Sequence, residues 1–123
     1  MRAIAYRAVA ALTVTAASAE PDRKSANFMS PFCKTALAEA VGDVHVDTQT
    51  AAMGGLCLGV ISGVAFMLDG SDGASCASLP KDVTTEQLAR VVIRYTEARP
   101  IAMHERFHFF VVAALMDAWP CQK

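Results

Sequence analysis

The sequence predicts an all-α domain, a small four-helix bundle made of two antiparallel helical hairpins. Apolar residues recur at helical spacing in four stretches, and no stretch alternates as a strand would. Capping and stop signals separate the four stretches. The four cysteines, Cys33, Cys57, Cys76 and Cys121, suit one disulfide across each hairpin.

Residues 1–19 have the features of a secretory signal peptide. Arg2 and Arg7 precede a short apolar run, and the Ala-Ser-Ala sequence that ends at Ala19 has the small-x-small form of a signal-peptidase site. An ordinary amphipathic first helix is the alternative, but no polar face recurs along the run. We therefore expect cleavage after Ala19 and export of the mature protein.

Residues 20–27 are charged and aperiodic, and they are predicted to form a flexible leader to a helical domain at residues 28–123. The mature chain from Glu20 would have nine basic and twelve acidic residues, and hence a net charge of −3. No basic patch is concentrated on one face, so we expect no nucleic-acid partner. The chain also lacks a polybasic segment that could hold it to an anionic membrane.

The first hairpin is predicted from two apolar helices of different character. Ser30 and Pro31 suit the N-cap and first residue of the first helix, which Gly42 can end. The second helix, at residues 51–68, has no charge over eighteen residues, which is the lower limit for a membrane span. No Lys, Arg, Trp or Tyr flanks it, so a buried core helix is the preferred interpretation and a span the alternative.

Three glycines recur every fourth residue along the second helix. Gly55, Gly59 and Gly63 form a small-x-x-x-small pattern, which in lipid marks a contact between helices. In a core helix, such glycines would let neighbouring helices approach closely. We therefore expect other helices of the bundle to pack against them.

The second hairpin follows a turn-rich loop. Thr84 is the predicted N-cap of a helix that starts at Thr85, and Gln87 can complete a capping box. Pro100 ends this helix and suits the first turn of the fourth. The fourth helix then carries an apolar stripe, which consists of Phe107, Phe110, Val111, Ala114, Leu115 and Ala118.

The last helix is apolar around much of its circumference, because Phe109, Val112 and Met116 lie off the stripe. Either it is the central helix of the bundle or it also contacts a partner. A homodimer formed through this helix is therefore a hypothesis to test.

Distance from the turns predicts the disulfide pairing. In an antiparallel hairpin, residues equally far from the turn lie at the same height. Cys76 and Cys121 are symmetric about the turn near Arg99, and Cys33 and Cys57 about the polar stretch near residue 45. Four cysteines allow three pairings, and we expect Cys33–Cys57 and Cys76–Cys121. A four-cysteine zinc site is the competing interpretation, but no C-x-x-C is present.

The stretch from His104 to His108 reads H-E-R-F-H, a literal H-E-x-x-H. On a helix this motif places two histidines one turn apart, as in zinc metalloproteases. A third ligand is also needed, and Asp117 would lie about 140° round the helix from the pair. Histidines packed at a helix edge are the simpler interpretation, so we expect no metal and no cofactor.

Other catalytic patterns are missing from the sequence. Paired cysteines leave no thiolate, and neither a G-x-S-x-G elbow nor a phosphate-binding glycine loop occurs. We therefore expect that the protein is not an enzyme.

From Cys33 to Cys121 the chain resembles the Rap/Tai family of immunity proteins associated with type VI secretion. The family pattern combines a cysteine–glycine helix, a Val-Thr and Gln-Leu segment, a Val-Val and a tyrosine, and a closing aromatic-Pro-Cys. The matching residues are Cys57, Gly59, Gly63, Val83, Thr84, Gln87, Leu88, Val91, Val92, Tyr95, Pro100, His104, Ala113, Ala114, Leu115, Trp119, Pro120 and Cys121. The resemblance implies an all-helical periplasmic protein, often dimeric, that binds and inhibits a peptidoglycan amidase.

The loop between the hairpins departs from the family pattern, since two extra residues separate Cys76 from Pro80. Long loops in small domains often bind partners, although this one could merely carry Cys76 to its disulfide. We expect the amidase to contact residues 69–81, at Asp69, Ser71, Asp72, Ser75, Ser78 and Lys81. The alternative function is that of a periplasmic housekeeping or chaperone-like protein, which would use exposed apolar helix surface.

Overall fold

The structure is a computed structural model that describes Glu20 and residues 22–122. The predicted signal peptide lies outside the described residues. Isolated β-bridges occur within the described part of the chain, but no strand does. The predicted all-α fold is confirmed. The helices are α1 (Ala26–Ala40), α2 (Thr48–Leu68), α3 (Thr85–Glu97), a 3-10 turn (Pro100–Ala102) and α4 (Phe107–Ala118).

Both predicted disulfides are confirmed. Cys33–Cys57 joins α1 to α2, with a Cα–Cα distance of 5.5 Å. Cys76–Cys121 joins the loop before α3 to the segment after α4, with a Cα–Cα distance of 5.7 Å. Each bond closes one antiparallel hairpin, in agreement with the prediction that the paired cysteines lie equally far from the turn.

Helix α1 begins five residues earlier than the sequence suggested. Ser25, not Ser30, is the N-cap, and its hydroxyl accepts a hydrogen bond from the backbone N–H of Phe28 at 3.2 Å. Pro31 therefore lies inside the helix, and the helix starts within the segment that was expected to be a flexible leader.

A contact with the chain before α4 explains this earlier start. The backbone N–H groups of Ala26 and Asn27 donate to the carbonyls of Glu105 and Met103, at 2.9 and 2.8 Å. The N–H of Phe107 in turn donates to the carbonyl of Lys24 at 2.7 Å. These bonds satisfy donors that a helix start leaves unpaired, so a distant segment stabilises the first turn of α1.

The same contact displaces the start of α4. The fourth helix was expected to begin at Pro100, but residues 100–102 form only a 3-10 turn and α4 begins at Phe107. Arg106 has an extended backbone, with φ −65° and ψ 132°, and forms a β-bridge with Ser25. The residues between turn and helix pair with the start of α1 and do not continue the helix.

The other helix starts follow their local signals. Thr84 is the N-cap of α3, as predicted, and its hydroxyl accepts from the N–H of Gln87 at 3.2 Å. Asp47 caps α2, with its carboxylate accepting from the N–H of Thr50 at 2.7 Å. This hydrogen bond lowers the pKa of Asp47 below its usual value.

The core lies between one face of each helix. Its largest fully buried side chains come from all four helices, namely Cys33, Cys57, Ile61, Val92, Thr96, Val111 and Leu115. Thr96 is the polar member of this group, and its hydroxyl donates to the carbonyl of Val92 at 2.8 Å. The buried hydroxyl is therefore satisfied within α3.

The close approach between α1 and α2 occurs at Gly54. A Cβ added there would lie 2.9 Å from the Cβ of Ala36, whereas one added at Gly55, Gly59 or Gly63 would meet nothing within 4 Å. The expectation that the spaced glycines contact other helices of the bundle was wrong. They lie on the exposed side of α2.

Helix α2 is less buried than expected. Only five of its 21 residues are buried, and they lie on one face at helical spacing: Gly54, Cys57, Ile61, Ala65 and Leu68. By length and composition α2 could cross a membrane, since its mean hydropathy reaches 2.0, and 28% of that stretch is buried. The preferred interpretation of a buried core helix thus holds for one face only.

Candidate functional site

The loop between α2 and α3 is held in a defined conformation at its base. The N–H of Asp69 donates to the carbonyl of Ala65 at 3.0 Å, which ends α2. Gly70 follows with a φ of +68°, a left-handed conformation that glycine adopts without strain. The chain turns here, and residues 70–75 form the tip of the loop, with the sequence Gly-Ser-Asp-Gly-Ala-Ser.

Ala77 anchors the loop to the end of α2 and to the segment after α4. It is fully buried, and its N–H donates to the carbonyl of Leu68 at 3.0 Å. It also forms β-bridges with Asp69 and Pro120, and the N–H of Ser78 donates to the carbonyl of Trp119 at 2.9 Å. The Cys76–Cys121 disulfide lies beside these bonds. Backbone pairing and a covalent bond therefore hold the loop base together.

Three of the six predicted contact residues are engaged within the loop. The Asp69 carboxylate accepts from the N–H of Leu79 at 3.2 Å. The hydroxyl of Ser71 accepts from the N–H of Gly73 at 3.1 Å, and the hydroxyl of Ser78 lies 3.7 Å from Cys121 Sγ. These side chains shape the loop, so their polar groups are less available to a partner.

The other three, Asp72, Ser75 and Lys81, are exposed, and their side chains form no hydrogen bond with the residues that the structure describes. Asp72 lies beside a shallow depression of about 510 Å³ that also touches Ser71, Ser78 and Met116. Ser75 lies on the tip, whereas Lys81 follows Pro80 and lies outside this depression. The structure therefore places the six residues on one loop but not in one cluster.

The two histidines of the H-E-x-x-H do not share a helix. His104 lies in the turn before α4, and its Nδ1 is 3.0 Å from the carbonyl oxygen of Ile101. His108 lies in the first turn of α4, with its ring centroid 4.3 Å from that of Phe109. Since α4 begins at Phe107, the geometry that the motif needs is missing. The described residues also contain no cluster of three or more His, Cys, Asp or Glu suited to a metal.

The outer residues of α4 are only partly available to a partner. Phe109 is 57% exposed, but Val112 and Met116 are half-buried and pack against the core. A larger exposed apolar surface lies on α2, where Phe66 is 84% and Met67 74% exposed. The lack of charge along α2 was visible in the sequence. Which face points outward depends on how the bundle packs.

Comparison with known proteins supports one family. Neither a curated protein nor a solved structure shows a significant match to the chain. The family model described as Rap1a immunity proteins matches residues 33–121, a range that runs from the first cysteine to the last and spans the disulfide-closed bundle. The chain therefore belongs to the Rap1a immunity protein family.

Proposed function

We propose that this protein is a periplasmic immunity protein that binds and inhibits a peptidoglycan amidase delivered by type VI secretion. The family match over residues 33–121 carries the proposal, because it covers both hairpins and both disulfides. The amidase as target rests on the resemblance to the Rap/Tai family. Inhibition by this chain is steric, and the chain performs no catalysis of its own.

The loop tip at residues 70–75 is the proposed contact with the amidase. Its base is fixed by the Cys76–Cys121 bond and by the buried Ala77. Little conformational entropy is then lost when the tip enters a cleft, which favours tight binding by a small surface. Asp72 and Ser75 on the tip, and Lys81 beyond the Cys76–Cys121 bond, supply the polar contacts, because their side chains are exposed.

Export accounts for both disulfides. Structural disulfides persist in oxidising compartments such as the periplasm, and one pair here is wholly buried. Mass spectrometry of the protein recovered from the periplasm should find Glu20 as its first residue. A mature protein that retains residues 1–19 would contradict the signal-peptide part of the proposal.

Binding to an amidase tests the central claim. The mature chain should form a stoichiometric complex with a secreted peptidoglycan amidase encoded beside it, and should protect cells that express this amidase in the periplasm. The triple variant Asp72→Ala, Ser75→Ala, Lys81→Ala should weaken the complex at least tenfold in calorimetry, with an unchanged unfolding midpoint.

A matched control uses the opposite end of α2. Asp43, His45 and Gln49 are equally exposed polar residues near the α1–α2 turn. Their triple replacement by alanine should leave binding unchanged. If this control weakens the complex as much as the loop variant does, the contact surface lies elsewhere. If no amidase binds, the proposed target is wrong.

A chaperone-like function is the second candidate, and the exposed apolar face of α2 is the observation that favours it. Such a protein would suppress aggregation of several unrelated unfolded clients at comparable concentrations. An immunity protein would bind one folded enzyme and leave these clients unprotected. An aggregation assay with two unrelated client proteins separates the two functions.

A further inference from the structure

A recess lies between the start of α1 and the turn before α4. Its volume is about 610 Å³, within the range of about 300–1,000 Å³ that is typical of small-molecule sites. Its lining combines apolar side chains of α1 with polar ones: Phe28, Pro31, Phe32, Asp22, Asn27 and His104. We call it the aromatic recess. The proposed inhibition of an amidase does not use it.

Two aromatic rings give the recess an apolar surface. Phe28 and Phe32 are one helical turn apart, and their ring centroids lie 5.4 Å from each other. Both rings are half-buried, and Phe28 packs against the core. The face of an aromatic ring is electron-rich, so it attracts the weakly positive C–H groups on one side of a sugar ring. Exposed ring surface inside a recess therefore suits a saccharide.

Backbone hydrogen bonds fix the polar part of the recess. The N–H of Asn27 donates to the carbonyl of Met103 at 2.8 Å, which holds the turn that contains His104 beside α1. The N–H of Lys24 donates to the carboxylate of Asp22 at 3.0 Å. A site that is ordered before its ligand arrives loses little conformational entropy on binding.

The polar side chains keep hydrogen-bonding capacity for a ligand. The Asn27 amide forms no hydrogen bond within the described part of the chain, so it offers both a donor and an acceptor. The Asp22 carboxylate has a second oxygen that can accept. Because a carbonyl only accepts, the Nδ1–H of His104 donates to the carbonyl of Ile101 at 3.0 Å, and Nε2 of the neutral ring remains an acceptor.

We propose that the aromatic recess binds an N-acetylated sugar unit of a glycan. The acetamido N–H donates to Asp22 or to Nε2 of His104, and the acetamido carbonyl accepts from the Asn27 amide. The methyl group and the ring C–H groups contact Phe28 and Phe32. Among the described residues no Lys or Arg lines the recess, whereas Asp22 does, so an anionic ligand is disfavoured.

Peptidoglycan is the source of such sugars that fits the proposed export, and this choice of source rests on the proposed function. Binding to its glycan strands would hold the protein where the amidase acts. The binding of the sugar itself requires neither the amidase nor the loop at residues 69–81. The two proposals therefore succeed or fail independently.

Titration of the mature chain with the trimer of N-acetylglucosamine, followed by NMR, tests the site. The wild type should bind this trimer at least tenfold more tightly than maltotriose, which lacks acetamido groups. Phe32→Ala should weaken binding of the trimer at least tenfold, because it removes one ring. Asn27→Asp should weaken it similarly, because it replaces the amide donor with a carboxylate. Circular dichroism should show both variants folded.

Gln49→Glu is the matched control, since it makes the same amide-to-carboxylate change at the second residue of α2, outside the recess. This variant should bind the trimer as the wild type does. The site is overturned if the wild type ignores the trimer at millimolar concentration or binds maltotriose equally well. Undiminished binding by folded Phe32→Ala or Asn27→Asp would overturn it as well.

Cosedimentation with insoluble peptidoglycan tests the source of the sugar. The wild type should pellet with purified sacculi, and an excess of the trimer should release it. Phe32→Ala should stay in the supernatant but should still form the complex with the amidase. If the wild type binds the trimer but not the sacculi, peptidoglycan is the wrong source and the site takes free oligosaccharides.

Discussion

The two hairpins are each closed by a disulfide, but the surroundings of the two bonds differ. Cys33 and Cys57 are fully buried and join two helices near their middles. Cys76 lies in a loop and Cys121 in the segment after α4, where it is half-exposed. The first bond is part of the core, whereas the second fixes a surface loop.

Backbone hydrogen bonds reinforce this difference. The loop next to the second disulfide is also held by Ala77 and Ser78, whose N–H groups bond to Leu68 and Trp119. Around the first disulfide, α1 and α2 are instead held by close packing of Ala36 against the backbone at Gly54. Loss of the first bond should therefore affect the whole fold, and loss of the second mainly the loop.

Removal of the buried disulfide should have the largest effect on stability. The closed loops span 24 and 45 residues, for which chain entropy alone gives roughly 3.4 and 4.0 kcal/mol. Two sulfur atoms removed from the core add about 1–2 kcal/mol of lost packing. The double variant Cys33→Ala, Cys57→Ala should thus lose about 5 kcal/mol in urea unfolding.

The matched variant Cys76→Ala, Cys121→Ala should lose about 4 kcal/mol or less, because hydrogen bonds still hold the loop base. Hydrogen exchange should increase most in residues 69–80, beyond the increase that the lower global stability produces in the helices. An equal increase in the loop and in all four helices would show that the second disulfide does not act on the loop in particular.

Reduction should also distinguish the two bonds. Thiol–disulfide exchange requires access to a sulfur atom, and Cys121 is half-exposed whereas both sulfurs of the first bond are buried. Under limiting dithiothreitol in the native state, alkylation and mass spectrometry should label Cys76 and Cys121 at least tenfold faster. Equal labelling rates would mean that the first hairpin opens as readily as the second.

The sequence predicted the parts of the fold that have local signals. Thr84 capped α3 as expected, and the cysteine positions predicted both disulfides. The predicted starts of α1 and α4 were wrong, because the true starts depend on backbone pairing between residues 24–27 and 103–107. Those segments are distant in sequence, and hydrogen bonds between backbone groups do not depend on which side chains are present. The sequence pattern therefore could not predict them.

The candidate site was predicted only as a loop. Turn residues and unusual length marked residues 69–81, but nothing in the sequence separated Asp69, which bonds to the backbone of Leu79, from the exposed Asp72. The outward direction of the glycines on α2 was likewise not predictable. Glycine spacing shows that two helices can approach closely, but not on which face of the helix they do so.

Glycine substitutions in α2 should have opposite signs on its two faces. Gly54→Ala places a Cβ 2.9 Å from that of Ala36, an overlap that should cost about 1–3 kcal/mol. Gly55→Ala meets nothing within 4 Å and should stabilise the helix by about 0.5–1 kcal/mol. Trp119 fluorescence in urea measures both changes. A stabilising Gly54→Ala would show that α1 and α2 are not in close contact there.

The N-cap of α3 offers a smaller change in the second hairpin. Thr84→Ala removes the acceptor for the N–H of Gln87 and should cost about 1 kcal/mol. Thr84→Ser retains the hydroxyl and should restore most of that loss. Urea unfolding at pH 7 provides the comparison. If serine does not recover stability, the methyl group of Thr84 matters more than its hydrogen bond.

Acid should weaken the N-cap of α2 in the first hairpin but not the N-cap of α3 in the second. Of the two capping residues, Asp47 has an ionisable side chain and Thr84 does not. The hydrogen bond from Thr50 lowers the pKa of Asp47 in the folded state relative to its ordinary value of 3.8. Its contribution is therefore complete above that value and disappears as pH falls through the lower, folded pKa. In Asp47→Ser, which retains a cap without an ionisable group, the unfolding midpoint should fall less than in the wild type between pH 5 and pH 2. Thr84→Ser, as the control, should show the same dependence on pH as the wild type. If Asp47→Ser also loses stability in acid as much as the wild type does, the carboxylate contributes nothing specific to capping α2.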